Sequence, residues 1–212
     1  MAVLTPLAGL LDNVKIADQM FVQKRRDQYS RSAGGSIYGA NLGGPVWQAT
    51  YTTAPMPHDE AINLEVGIDE LDGVMRHFYA YDFRRAEPIA MRGLIFPDGG
   101  LITGTSDGRF ISAAGVASNL VLRRGDYIAF DYGEKPYRYL GRVVTPQRQA
   151  TAGGVIQDIE VRPYLPPISV IGSTLIFKKS SALFSLDGPD AVSQQSTNGA
   201  FTVLTINAVQ AF

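Results

Sequence analysis

His58 and His77 are the chain's only histidines, so a histidine triad, a general base or an imidazole metal site has to use one of them. His58 stands beside Asp59 and Glu60, but side chains adjacent at a helix start do not converge on one point. It reads as a polar residue at a helix N-terminus. His77 lies in Met75-Arg76-His77-Phe78-Tyr79 and reads as a packed or interface histidine. Glu65 and Asp69, four residues apart, share a helix face, as acid–base chemistry or cation binding could require. Glycoside cleavage, however, needs carboxylates that face each other across a cleft. A solvated acidic surface, or one matched to a basic partner, is the simpler account.

Other chemical signatures are missing. The chain has no cysteine, which removes disulfides, thiol catalysis and cysteine metal sites. Gly34 to Gly44 contains neither a GxGxxG nor a Walker lysine. Gly104-Thr105-Ser106-Asp107-Gly108 has the Gly-x-Ser-x-Gly spacing but lies between two strand candidates rather than between a strand and a helix, so it is a turn and not a nucleophile elbow. Asp187-Gly188-Pro189-Asp190 is a turn rather than a calcium loop. Arg124-Gly125-Asp126 would be an integrin-binding tripeptide in an extracellular ligand; here it reads as the turn entering the strand Tyr127 to Phe130. No catalytic, cofactor-binding or metal-ligating residue is expected, and the chain is read as a non-enzyme without cofactors.

Aromatic residues give a richer signal. Phe78, Tyr79, Tyr81 and Phe83 crowd one segment that ends in Arg84-Arg85. Such a cluster can stack bases, anchor a protein interface, or form a core strand with a basic exit turn. The two arginines also suit a charge-matched contact between subunits, opposite an acidic helix that carries Glu65 and Asp69. Arg84, Arg85, Glu65 and Asp69 are therefore the candidate interface residues.

The elements that would position these groups follow from composition and pattern. The chain has 212 residues, 45% hydrophobic and 18% charged, with 19 basic and 20 acidic side chains for a net charge of −1. That balance suits a folded chain and gives no general affinity for phosphate backbones. No apolar run is long enough for a membrane helix. Met1 to Leu11 lacks a positive n-region and is broken by Pro6 and Gly9, so it reads poorly as a signal peptide and a cytoplasmic product is expected.

With 22 glycines and 12 prolines, short strands and frequent turns fit better than long helices. Ile16 to Ser32 reads as one or two polar strands, Gly34 to Pro45 as a long flexible loop, and Val46 to Thr52 as a strand. One helix follows, capped by Asp59, with Ala61, Leu64, Ile68 and Leu71 as its apolar stripe and Gly73 just past its end. Its outer face is acidic with no compensating base. A strand Val74 to Tyr81 comes next. From Leu94 the candidates are Ile95-Phe96, Leu101 to Thr103, Arg109 to Ile111, Leu120 to Leu122, Tyr127 to Phe130, Tyr137 to Val144 and Val155 to Tyr164. Their spacing suits a small closed β-barrel. Ser173 to Lys179, Leu183 to Leu186 and Phe201 to Val209 complete the set, with a polar loop near Gln194 to Gly199.

Val46-Trp47-Gln48-Ala49-Thr50-Tyr51, the proline-bounded helix, and Phe78-Tyr79-Ala80-Tyr81-Asp82-Phe83-Arg84-Arg85 resemble the strand–helix–strand core of tail-tip proteins from long-tailed bacteriophages. Leu122 to Phe130, Tyr139-Leu140-Gly141-Arg142-Val143 and Ile159-Glu160-Val161-Arg162-Pro163 are similar to their second β-module. The overall likeness is to distal tail proteins, and it is best over residues 46–91 and 119–166. This resemblance implies a mainly β fold: a tail-tube-like β-sandwich or split barrel with one packed helix, plus an inserted small OB-like β-barrel. Residues 1–92 and 166–212 would form the ring domain, and 93–165 the peripheral barrel.

The implied role is structural: a virion protein, made in the host cytoplasm, whose homohexameric ring joins tail tube to tail tip. Its partners would be itself, the tail tube protein, the tail-tip hub protein, the tape-measure protein and tail fibres. Neither sequence-specific nucleic-acid binding nor a membrane anchor is expected. The larger carbohydrate-binding C-terminal domain of longer members is not expected here. Rival readings are a tail-tube or tail-terminator subunit, and a receptor- or glycan-binding module that stacks sugars on Tyr132, Tyr137 and Tyr139.

Overall fold

Along Val46–Thr53 buried residues alternate with half-buried ones, the pattern of a strand with one face on a core. In the computed structural model of the chain, which describes residues 5–133, 137–197 and 200–211, this strand is central to the first of two units. In chain order the first elements are β1 (Ile16–Lys24), β2 (Asp27–Arg31), β3 (Ile37–Asn41), β4 (Val46–Thr53), β5 (Met56–Pro57), α1 (His58–Asp69) and β6 (Phe78–Tyr81). Then come β7 (Leu101–Ser106), β8 (Phe110–Ala114), β9 (Val121–Arg123), β10 (Tyr127–Tyr132), β11 (Tyr137–Val143), β12 (Gln147–Gln149), β13 (Val155–Arg162) and β14 (Leu175–Ile176). Last are β15 (Ser181–Leu186), β16 (Val192–Thr197) and β17 (Phe201–Gln210). Strand makes up 48% of the described residues and helix 9%, so among them the expected mainly β fold with a single α-helix is what forms. One unit runs through Phe78 and resumes over Phe184–Ala211; the other is Tyr79–Leu183.

In the first unit β1, β4, β17 and the Phe184–Leu186 end of β15 follow one another in a sheet, with β16 and β5 also pairing β17. One face of β4 is apolar. Phe21 stacks on Trp47 at 5.3 Å, and Phe184 lies 5.8 Å from Phe21 and 6.5 Å from Phe78. The other face is a polar ladder: Thr50 Oγ1 donates to Asn207 Oδ1 at 2.8 Å and Gln48 Nε2 to Asp187 Oδ2 at 3.1 Å. The helix buries Ala61, Leu64 and Ile68, the stripe expected, and Leu71 just beyond it is buried as well. Its start differs from expectation. Pro57, with φ fixed near −56°, precedes it, and no side chain caps it; Asp59 and Glu60 lie in the first turn instead. The helix stops at Asp69, and turns carry the chain on through Asp72 (φ +48°) and Gly73 (φ +67°).

Two expected loops are strands. Within the glycine-rich stretch, Ile37–Asn41 pairs with Asp27–Arg31 as a hairpin turned at Gly34-Gly35, where Gly35 has φ +83°. Glycine density marks the turn but hides the strand that follows it. Gly39 is paired with Tyr29, whose ring comes within 3.7 Å of the place a Gly39 Cβ would occupy, so an aromatic side chain covers the gap a glycine leaves in a strand. Gln194 to Thr197 likewise belongs to β16, paired with β17; Asn198 and Gly199 lie outside the described residues. In the other direction, Val74 to His77 forms turns, leaving only Phe78–Tyr81 as strand, and Ile95-Phe96 is not a strand.

The second unit is built on a six-stranded sheet, β14-β10-β11-β13-β8-β7, beside the two-stranded β12-β9. Its core gathers Phe96, Ile111, Leu122, Phe130, Tyr139, Val161 and Phe177, all buried. The expected barrel does not close. Between β7 and the stretch that leads into β14 there is one bridge, Leu101 to Thr174, with the backbone bonds Ile102 N–H to Ser173 O at 3.0 Å, Gly172 N–H to Ile102 O at 2.8 Å and Leu175 N–H to Gly100 O at 2.8 Å beside it. With only two residues in β14, that contact does not extend into a paired strand that would close the sheet.

Candidate functional site

Asp82 is 3% exposed, and a buried carboxylate must be paired. It follows β6 directly and caps the short 3-10 turn Phe83–Arg85 by accepting the Arg84 N–H at 3.0 Å. The Arg84 guanidinium returns to it with two bonds, Nε to Oδ1 at 3.0 Å and Nη2 to Oδ2 at 2.9 Å. These bonds hold the Arg84 pKa above its ordinary value. Tyr127 Oη donates to Asp82 Oδ2 at 3.2 Å and accepts from Arg142 Nη2 at 2.5 Å. Burial pushes the Tyr127 hydroxyl pKa up, against the pull of Arg142. Arg84 keeps 61% of its side chain exposed, so this network leaves a cation at the surface.

Arg85 has a different anchor. Its Nη1 lies 3.4 Å from Asp126 Oδ1, and the guanidinium covers Gly125. Asp126 is fully buried and also accepts the N–H groups of Arg123 at 2.7 Å and Ile89 at 3.0 Å. Arg124-Gly125-Asp126 is therefore a turn with its acid turned inward, and an adhesive tripeptide would need that carboxylate exposed. Each of the two candidate arginines thus has a carboxylate of its own unit.

On α1, Asp69 is exposed and Glu65 is half-buried, its Oε1 shielded without a partner among the described residues. The acidic face has one compensating base after all: Arg76 Nη1 lies 3.8 Å from Glu70 Oε2. His58 Nδ1 bonds Thr202 Oγ1 at 3.0 Å. The half-buried His77 lies just outside β6; its carbonyl accepts the Leu7 N–H, and its Nδ1 has no partner among the described residues. Among the described residues no three His, Asp or Glu side chains are grouped to hold a metal.

The proposed sugar-stacking aromatics separate. Tyr139 is buried against Phe130 at 4.8 Å and donates its hydroxyl to the Pro163 carbonyl at 2.5 Å. It cannot stack a ligand, because the core strands of the sheet enclose it. Tyr132 and Tyr137 pair at 5.8 Å and stay half-buried.

No known family profile matches this sequence, and no curated protein does. The geometry alone therefore points to what the chain can do, and two surfaces stand out that the sequence pattern does not mark. The first is the β2–β3 hairpin, where Tyr29, Ile37 and Tyr38 are 68%, 62% and 65% exposed and the exposed Arg26 and Arg31 flank them. The second is a concavity of the second unit lined by Phe83, Arg84, Ala86, Glu87, Arg92, Lys178 and Lys179. What the sequence does offer is compositional: the large side chains Tyr29, Ile37 and Tyr38 for the first, the Lys178-Lys179 doublet for the second. A further hollow in the first unit, about 850 Å³, lies between the segment Leu7 to Lys15 and α1 and holds Glu60 and Glu70 but neither histidine.

Proposed function

We propose that the chain is a structural subunit of the tail tip of a long-tailed bacteriophage, closing with copies of itself into a ring that joins the tail tube to the hub and fibre proteins. It works by shape and self-contact rather than by making or breaking bonds, and the ring leaves a passage for DNA and the tape-measure protein.

The hairpin carries this reading. It extends the β1–β4 pair past the end of its sheet, since β1 and β4 are in register to Lys24–Val46 and pairing resumes at Asp27–Asn41. Every residue of β3 is exposed, and a lone two-stranded hairpin is marginally stable in water. Large apolar side chains on such an arm become useful when a neighbour covers them. β1, moreover, is an edge strand of its sheet, and an edge is protected when the sheet continues into another subunit. The resemblance to distal tail proteins supplies the ring and its place in the virion.

A glycan-binding role is the second reading, supported by the half-buried Tyr132–Tyr137 pair. The two are separated by one variant. Tyr29→Ser with Tyr38→Ser should leave the folded monomer intact and abolish its assembly, as seen by light scattering. An assembly unchanged by both substitutions would take away the support the hairpin gives.

A further inference from the structure

Two surfaces of this chain carry opposite local surpluses of charge. In the second unit, Arg84, Arg92, Lys178 and Lys179 line a concavity of about 680 Å³ in which Glu87 is the one acid. The cations are fixed by the protein. Arg84 is gripped by Asp82, and Arg92 Nη2 donates to the Arg84 carbonyl. Lys178 Nζ donates to the Phe96 carbonyl at 2.9 Å and sits 4.4 Å from that ring, while Lys179 Nζ lies 5.6 Å from the Tyr81 ring. Even with Asp82 included, positive charge prevails. Cations already ordered lose little freedom on meeting an anion.

The opposite surplus is on α1. Asp59, Glu60, Glu65, Asp69, Glu70 and Asp72 fall within or just after it, and no lysine or arginine does. Of these six acids, Arg76 pairs with Glu70. Ile62 and Val66, one turn apart, are 51% and 52% exposed, and Asp59, Glu65 and Asp69 lie three or four residues from them on the same side of the helix. The result is an apolar strip bordered by carboxylates. The concavity answers it in kind, with Phe83 and Ala86 among basic side chains.

We propose that the concavity of one copy receives the outward face of α1 of the next. This rests on the ring reading and names the surfaces that would join it. The two patches differ, so the contact is heterologous, the kind that runs head to tail and closes into a ring. Like-charged patches repel, which disfavours a two-fold pairing of concavity with concavity or of helix with helix.

The test uses the whole chain and sedimentation velocity, with circular dichroism to verify folding. Arg92→Glu with Lys178→Glu should weaken self-association at least tenfold. Glu65→Lys with Asp69→Lys should do the same, and mixing the two folded variants should restore assembly. In unsubstituted protein, a zero-length carbodiimide cross-link between isotopically light and heavy chains should join Lys178 or Lys179 to Glu65 or Asp69. Variants that assemble like the parent, or cross-links confined to single chains, overturn the contact while leaving the ring reading standing. A parent chain that stays monomeric overturns both.

Discussion

The Asp126 carboxylate accepts the backbone N–H of Ile89 at 3.0 Å across 37 residues of sequence. It thereby ties the turn that enters β10 to the segment that follows the Phe83–Arg85 turn. It also takes the Arg123 N–H at 2.7 Å and faces Arg85 at 3.4 Å, while fully buried. One side chain thus satisfies donors from three stretches of the second unit.

Asp126→Ala strands those donors in the interior. Unsatisfied buried groups cost about 1–3 kcal/mol each, more where a charge is involved, so a loss of about 3 kcal/mol is expected. Denaturant unfolding measures it, and Asp126→Asn, which keeps one acceptor oxygen, should lose less. An unchanged midpoint for the alanine variant would contradict the arrangement.

Tyr139 and Tyr137 should part company. Tyr139→Phe removes the bond to the Pro163 carbonyl and should cost about 1 kcal/mol; Tyr139→Ala empties a core site and should cost about 3–5 kcal/mol. Tyr137→Ala, at a half-buried position, should cost less than Tyr139→Ala. Thermal melts of the three variants give the order directly.

Stability should fall in alkali. Burial raises the pKa of Tyr139, Tyr127 and Tyr132 above the ordinary value of 10.0. In the unfolded chain these phenols ionise near pH 10 and release protons that the folded chain retains. Their contribution is therefore fully present below about pH 10 and is lost as pH rises above it. For the deeply buried Tyr139 the slope is about 1.4 kcal/mol per pH unit. Urea midpoints measured from pH 8 to 11, beside tyrosinate absorbance, test the sign; a flat profile above pH 10 would contradict it.

Gly154→Ala should destabilise the second unit. The residue has φ +68°, and an added Cβ would lie 2.5 Å from the Val116 carbonyl oxygen, a backbone atom that cannot swing aside. Strained left-handed backbone alone costs about 1–3 kcal/mol, and the clash adds to that. A melting temperature unchanged by the substitution would show that the backbone there can relax.

The parts of the fold legible in the sequence were those whose signal is local. Val46–Thr53 alternates, the helix repeats its stripe at Ala61, Leu64 and Ile68, and Tyr127–Phe130 is a continuous apolar run. Segments whose structure comes from a partner strand were not legible. Ile37–Asn41 sits within a glycine-rich stretch and is wholly exposed, and only its pairing with Asp27–Arg31 makes it a strand. Val192–Thr197 is polar and owes its form to β17. Val74 to His77 has strand composition but folds into turns after Asp72 and Gly73. The same limit applied to the surfaces. Arg84 and Arg85 were visible as a doublet, and Asp82, which grips Arg84, is only two residues away. But the Asp126 carboxylate that faces Arg85 comes from 41 positions on, and the grouping of Arg92 with Lys178 and Lys179 around one hollow joins residues more than eighty positions apart.

We expect this chain to assemble with itself through surfaces the monomer leaves exposed. Light scattering of the purified protein, with negative-stain imaging of the same sample, should show a six-fold annulus with a central hole; particles of one copy at every concentration would contradict self-assembly.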